Sequence, residues 1–144
     1  MPLRPIKEVI RDQHLLHAPP SMTVAEAAEL MRKKRVGALL VTRQQELAGI
    51  FTERDAVFRV LATHADPTRT HLDEVMTPSP RTIEAAKPLC HALHMMYEGG
   101  FRHVPVVENG KLVGIVSARD ALSSDLAQFE SDILEREHIA EILG

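Results

Sequence analysis

Two short phrases hold the residues of this chain best suited to chemistry. Gly49 to Val57 reads GIFTERDAV, and 65 residues further on Gly114 to Leu122 reads GIVSARDAL. Each sets a hydroxyl (Thr52, Ser117) three residues before a carboxylate (Asp55, Asp120), with a guanidinium (Arg54, Arg119) beside the acid. A hydroxyl and a carboxylate at this spacing, directly after an apolar run, suit a helix N-cap. The hydroxyl accepts from a backbone N–H, and the acid sits at the positive end of the helix dipole. Such a cap contributes about 1 kcal/mol and requires no ligand. The same atoms also suit a nucleotide. Free N–H groups at a strand-to-helix turn attract anions, and arginine grips phosphate oxygens as a fork. A carboxylate is an acceptor for the two hydroxyls of a sugar diol. Gly49 and Gly114 would permit close backbone approach at such a site. The spacing alone does not choose between cap and site.

The elements around the phrases repeat with them. Val24, Ala27, Ala28 and Met31 form the i, i+3, i+4, i+7 stripe of an amphipathic helix, and Leu89, Ala92, Leu93 and Met96 repeat it 65 residues on. Thr23 with Glu26 reads as a capping box opening the first of these helices, and Pro88 suits the first turn of the second. Apolar runs follow in pairs: 36–41 and 47–52 around RQQE, then 101–106 and 112–117 around ENGK. Asn109-Gly110 is a strong hairpin signal, because both residues tolerate positive φ. A further helix follows each phrase, with Ala56, Val57, Val60 and Leu61 apolar in one copy and Ala121, Leu122 and Leu126 in the other. Within the polar linker Thr63–Arg81, LDEVM at 72–76 echoes IKEVI at 6–10, so the repeat includes a lead-in. Each half thus reads as a short lead-in strand, helix, two strands and helix.

A unit of about 60 residues has a thin core, and two units stacked through their sheets bury far more apolar surface. The expected fold is α/β (α+β): two β-α-β-β-α halves packed through their sheets with pseudo-two-fold symmetry. The divisions are 1–65, 66–127 and a C-terminal amphipathic helix at 128–144. Read as a continuation of the preceding helix, it carries on an apolar seam of Leu122, Leu126, Phe129 and Ile133 that faces the module or a second chain.

Composition narrows the function. A net charge of −3 argues against broad nucleic-acid binding, and with no Trp and one Tyr there is little to stack on bases. No apolar run suits a membrane span. One cysteine and no signal-like start point to a reducing cytoplasm.

The two phrases resemble the signature of the cystathionine-β-synthase-type (CBS) domain: glycine, a hydrophobic pair, Thr or Ser, any residue, Arg or Lys, then Asp. DEVMTPSPRTI (73–83) and FRHVPVVENGKLVGIVSARDAL (101–122) are also similar to that family. The resemblance spans about residues 4–127 and occurs twice in tandem, the arrangement called a Bateman module, here expected to stand alone. It implies binding of an adenosine-containing ligand, with AMP, ADP or ATP ahead of NAD or S-adenosylmethionine and no cofactor required. In that family the Asp holds ribose hydroxyls, and the Thr or Ser contacts phosphate or ribose. One site would then comprise Thr52, Arg54 and Asp55, walled by Gly37, Ala38 and Leu39, with Ala18 and Pro19 from the lead-in. The other would comprise Ser117, Arg119 and Asp120 with Arg102, His103, Val104 and Pro105, and with Thr82 and Ile83. The basic pair Arg102-His103 stands where the first half has Gly37-Ala38, which favours the second half for phosphate. The resemblance also implies a homodimer and an unidentified regulated protein.

Other candidates are weaker. His91 and His94 lie at i, i+3 beside Cys90, and His14 and His17 share the same spacing, but neither pair has the third and fourth ligands a metal site needs. Cys90 reads as a packing residue without an oriented base. Lys33-Lys34-Arg35 close a helix, where cations complement the dipole; contact with phosphates is the alternative. The expectation is a non-catalytic adenine-nucleotide sensor. The alternative is an assembly adaptor with vestigial pockets, and a metal-responsive or enzymatic role is remote.

Overall fold

The computed structural model describes residues 4–143, apart from the side chains at 121 and 124–130. After a helical turn α1 (Ile6–Val9), the first half comprises β1 (His17–Ala18), α2 (Val24–Lys34), β2 (Ala38–Arg43), β3 (Glu46–Thr52) and α3 (Glu53–Asp55). α3 widens at once into a π-helical segment, Ala56–Leu61. The second half begins with α4 (Leu72–Val75), β4 (Thr77–Pro78) and β5 (Ile83–Glu84). It continues through α5 (Leu89–Gly99), β6 (His103–Glu108), β7 (Lys111–Ser117) and the long α6 (Ala118–Leu143).

One sheet has the order β1-β2-β3-β4 and the other β5-β6-β7. The repeat holds at the level of register. Ala18 pairs with Val41 as Ile83 pairs with Val106, both parallel. Both hairpins carry a bulge at the same place, between Val41 and Thr42 and between Val106 and Val107. The turns differ in chemistry although not in shape. Asn109 and Gly110 adopt φ of 52° and 77°, and Gln44 and Gln45 take 52° and 68° in the equivalent places.

Each sheet has a helix-side core. Leu39, Val41 and Phe51 pack with Val24, Ala27 and Met31 of α2, while Val104, Val106 and Val116 pack with Leu89, Ala92 and Met96 of α5. These are the two stripes expected from the sequence, except that Ala28 is exposed and Leu93 is only partly buried. Between the sheets, Ala38, Leu40 and Ile50 pack with Leu112 and Ile115 of the other half. β2 is therefore buried on both faces, which explains its unbroken apolar run. Each fully buried Leu or Phe contributes about 1.5–3 kcal/mol, so the interface between the sheets completes what either half lacks.

The lead-ins are exchanged. Ile6 and Ile10 belong to the core of the second half, and Leu72 and Val75 belong to that of the first. Ile6 N donates to Lys87 O, Lys7 N to Ala85 O and Leu89 N to Arg4 O. Leu72 N to Met22 O, Asp73 N to Pro20 O and Val24 N to Thr70 O are their symmetric counterparts. Each lead-in, expected as a short strand, is a helical turn followed by a two-residue strand. Proline at 5, 19, 20 and 78 limits longer pairing, because it offers no N–H to a ladder.

The free edges are closed differently. In the first sheet β4 pairs with β3 at Gly49 and Ile50. In the second, the side-chain amide of Gln13 takes that role: its Nε2 donates to Ile115 O at 2.7 Å, and Ile115 N donates to its Oε1 at 3.1 Å.

Helical faces left bare are apolar in places. Val57, Phe58 and Leu61 on the π-helical segment are exposed, whereas Val60 is buried. The C-terminal seam does not cover the module where it is described, since Leu122 and Ile133 are exposed. The side chains of Leu126 and Phe129 lie outside the described set, as does that of Ala121. Among the described residues, no helix is long and apolar enough to cross a membrane.

Candidate functional site

Both phrases fold as a strand ending in a capped helix start. Thr52 N donates to Asp55 Oδ2 at 2.9 Å, and Asp55 N donates to Thr52 Oγ1 at 3.3 Å, a closed capping box. Ser117 N donates to Asp120 Oδ2 at 2.7 Å, and the Ser117 hydroxyl donates to the same oxygen at 3.3 Å. The full box is therefore present in the first copy, and its carboxylate half in the second. It uses one oxygen of each carboxylate and leaves the other.

That second oxygen differs between the copies. Asp55 is buried, and its Oδ1 faces Arg59 Nε at 3.6 Å. Arg59 is itself held by the carbonyls of Val75 and Met76 at 3.1 and 2.9 Å. The position equivalent to Arg59 is Ser124, so Asp120 has no such cation on its own helix.

Two cavities open at these turns, and each is built across the halves. Ser117, Arg119 and Asp120 share a cavity of about 370 Å³ with Gln13–Leu16, Arg35–Ala38, Glu53, Arg102 and His103. Thr52, Arg54 and Asp55 share one of about 480 Å³ with Ser79–Arg81, Gly99–His103, Glu53 and Arg59. The volumes fall in the range typical of small-molecule sites. Among the described residues, Arg35, Arg81, Arg102 and Arg119 have no ion-pair partner within 4 Å. Arg54 donates to Gly100 O at 3.0 Å, which ties it to the other half. Burial holds the His103 imidazole below its ordinary value of 6.5; Glu53 and Asp120 oppose the shift, and Arg102 adds to it.

This geometry rearranges the expected groupings. Gly37 and Ala38 line the cavity of Ser117 and Asp120, not that of Thr52 and Asp55. Arg102 and His103 line both cavities. Leu39, Ala18, Val104 and Ile83 send their side chains into the helix-side cores, and Pro105 is also buried, so none of these side chains lines either cavity. Alternation along a strand accounts for Leu39 and Val104, whose neighbours point the other way. Pro19 and Thr82 are exposed outside both cavities. Gly49 and Gly114 also lie outside them, and their close approach is to the lead-ins. A Cβ at Gly49 would meet Met76 Sδ at 2.5 Å and Thr77 O at 2.8 Å, and one at Gly114 would meet Gln13 and Ile10 at 3.0 Å.

Gln13, His14, Glu53 and Ser79–Arg81 were missed as wall residues. A signal existed: Gln13–Leu15 and Ser79–Arg81 follow IKEVI and LDEVM at the same offset of 66. Arg35, weighed between helix end and phosphate contact, sits at the left-handed C-cap of α2 with its residue lining the cavity. Lys33 and Lys34 lie in the last turn outside both cavities.

The histidine pairs do not gather ligands. His17 Nδ1 lies 2.9 Å from Thr42 Oγ1, and His94 Nε2 lies 3.0 Å from Glu98. Among the described residues no group of three His, Cys, Asp or Glu is placed to hold a metal ion. Cys90 is partly buried.

Comparison with known proteins agrees with the fold. The CBS domain model matches twice, at residues 6–62 and 72–126. A CBS domain-containing protein of Arabidopsis thaliana is 35% identical over 126 residues, 87% of this chain and 23% of the relative. An uncharacterized 17.7 kDa protein of Acidianus ambivalens is 38% identical over 103 residues, 70% of this chain and 61% of the relative. The chain spans 22–23% of the length of the first plant relatives it matches. A protein with CBS domains from Burkholderia ambifaria has a TM-score of 0.81 at 30% identity, covering 85% of this chain and 94% of that one. A CBS domain protein from Pyrobaculum aerophilum, complexed with AMP, has a TM-score of 0.74 at 28% identity, covering 86% and 98%. A hexameric CBS-CP12 protein from bloom-forming cyanobacteria has a TM-score of 0.76 at 28% identity, covering 92% and 75%. With two matches in tandem, a repeated register and two sheets stacked between helices, the chain belongs to the CBS domain family as a pair of CBS domains.

Proposed function

We propose that this chain is a non-catalytic regulatory module that binds an adenine nucleotide at Ser117 and Asp120. The observation that carries this reading is the composition of one cavity. Among the described residues, the Asp120 carboxylate has one oxygen uncommitted and shares its cavity with three arginines, Arg35, Arg102 and Arg119, that have no ion-pair partner. Asp120 supplies the acceptor for a ribose diol, and the guanidiniums supply the fork for phosphate. The AMP complex of the Pyrobaculum relative supports the ligand class. The Thr52 hydroxyl accepts from the Asp55 N–H, and the Ser117 hydroxyl donates at 3.3 Å to the carboxylate oxygen that already accepts the Ser117 N–H, so both are engaged within their own turns. Regulation follows if the ligand binds two arrangements of the halves with different affinity, and so shifts the surface offered to a partner.

The test is calorimetry with AMP, ADP, ATP, NAD and S-adenosylmethionine. At least one should bind below millimolar, and Asp120→Ala should weaken it at least tenfold. Wild-type affinity in Asp120→Ala would reduce the turn to a cap. An alternative is favoured by the bare apolar row Val57, Phe58 and Leu61: an assembly adaptor acting through helical faces. Self-association, expected as a homodimer, is supported by the hexameric relative. Ultracentrifugation of Phe58→Glu distinguishes the readings, since a loss of assembly together with absent ligand binding would favour the adaptor.

A further inference from the structure

The two cavities share a wall. Arg102, His103 and Glu53 line both of them, because β6 starts, and α3 begins, where the two turns come closest. Glu53 N donates to Gly37 O, and Ala118 N donates to Arg102 O, so the two strand starts are each fastened to the opposing turn of their own half. The shared wall holds one fixed cation, Arg102, and one fixed anion, Glu53, with His103 held largely neutral by burial. Two phosphates drawn to this one guanidinium would share its single positive charge and repel each other.

The remaining cations are unequally available. On the Ser117 side, Arg35 and Arg119 make no ion pair among the described residues. On the Thr52 side, Arg81 makes no ion pair among the described residues, but Arg54 is held by Gly100 O, and Arg59 by two carbonyls and Asp55. A phosphate in the Thr52 cavity therefore depends more on the shared Arg102, which a phosphate in the Ser117 cavity has already engaged. It would also meet the carboxylate of Glu53 in the shared wall.

We infer that the two cavities exclude one another for anionic ligands, so that the chain takes one nucleotide at a time and fills the Ser117 cavity first. This rests on the proposed nucleotide binding and adds its stoichiometry and order. Titration of the intact protein with AMP in a calorimeter tests it. The expected result is one tight step per chain, followed by a second at least tenfold weaker or absent. In Asp120→Ala, which disables the first cavity, AMP should enter the Thr52 cavity more tightly than in the second wild-type step, yet still at least tenfold more weakly than in the first. In Arg102→Met the first step should weaken and the two steps converge. Two equal, independent steps in the wild type would overturn the inference and leave nucleotide binding intact. So would an Asp120→Ala protein that remains folded by circular dichroism but binds no AMP. No binding to the wild-type protein would overturn the underlying reading itself.

Discussion

Replacing Gly49 by alanine separates two explanations for the glycine that opens each phrase. If the glycine serves ligand approach, a methyl group there should leave stability alone and impair binding. The structure assigns it to packing. Gly49 has no positive φ, so alanine meets no backbone penalty and gains about 0.4–1 kcal/mol through the unfolded chain. Against that stand Met76 Sδ at 2.5 Å and the Thr77 carbonyl at 2.8 Å from the added Cβ. The thioether can swing away. The carbonyl cannot, because Thr77 is paired with Ile50 in the same sheet. Overpacking of this kind costs about 1–3 kcal/mol, and the rigid neighbour places Gly49→Ala toward the upper end, for a net loss of about 2 kcal/mol. At Gly114 the nearest atoms, Gln13 Oε1, Ile10 Cβ and Ile10 Cδ1, stand further off at 3.0 Å, so a shift of a few tenths of an ångström suffices. Gly114→Ala should lose less than about 1 kcal/mol. Urea unfolding followed by circular dichroism measures both, and a melting curve should show Gly49→Ala lower by roughly 8 °C. Equal stability of Gly49→Ala and wild type would refute the packing assignment.

Leu72→Ala should destabilise the protein by about 2–5 kcal/mol, because this linker residue is fully buried in the core of the first half; by the same exchange a fragment of residues 1–65 should lack cooperative unfolding. Gln44→Asn with Gln45→Gly copies the second hairpin onto the first, and relief at two positive-φ residues should raise stability by about 1 kcal/mol in urea unfolding. His103 has a lowered folded-state pKa, so the unfolded chain takes up the proton first; stability should fall as pH drops below 6.5, and His103→Gln should flatten that slope in denaturation curves collected between pH 7 and 5.

What could be read in the sequence was whatever repeats at short range. The stripes of α2 and α5, the box at Thr23 and Glu26, the Asn109-Gly110 turn and the paired strands all follow from local periodicity or turn chemistry. Glu26 N does donate to Thr23 Oγ1, at 3.2 Å. The chemistry of Thr52, Asp55, Ser117 and Asp120 was equally local. What could not be read was which half each piece serves. IKEV presents the same apolar pattern whether it docks on its own half or on the other, so the exchange of Ile6 for Leu72 leaves no mark in the pattern. Gly37-Ala38 were assigned to the first turn on the same logic, and the pseudo-two-fold axis brings them to the second. Gln13 acting in place of a strand had no precedent in its own repeat, since Ser79 stands at the matching position.

The exchanged lead-ins also decide how this molecule can move. Each half is buckled to the other by three backbone hydrogen bonds on either side of the axis, so the halves cannot swing open like the covers of a book. The motion left to them without unfastening a buckle is a small twist about the axis itself. Such a twist displaces the centre least and the periphery most. Any lever arm rooted near the centre magnifies it, and the 26-residue helix α6, which begins directly at Ala118, is such an arm.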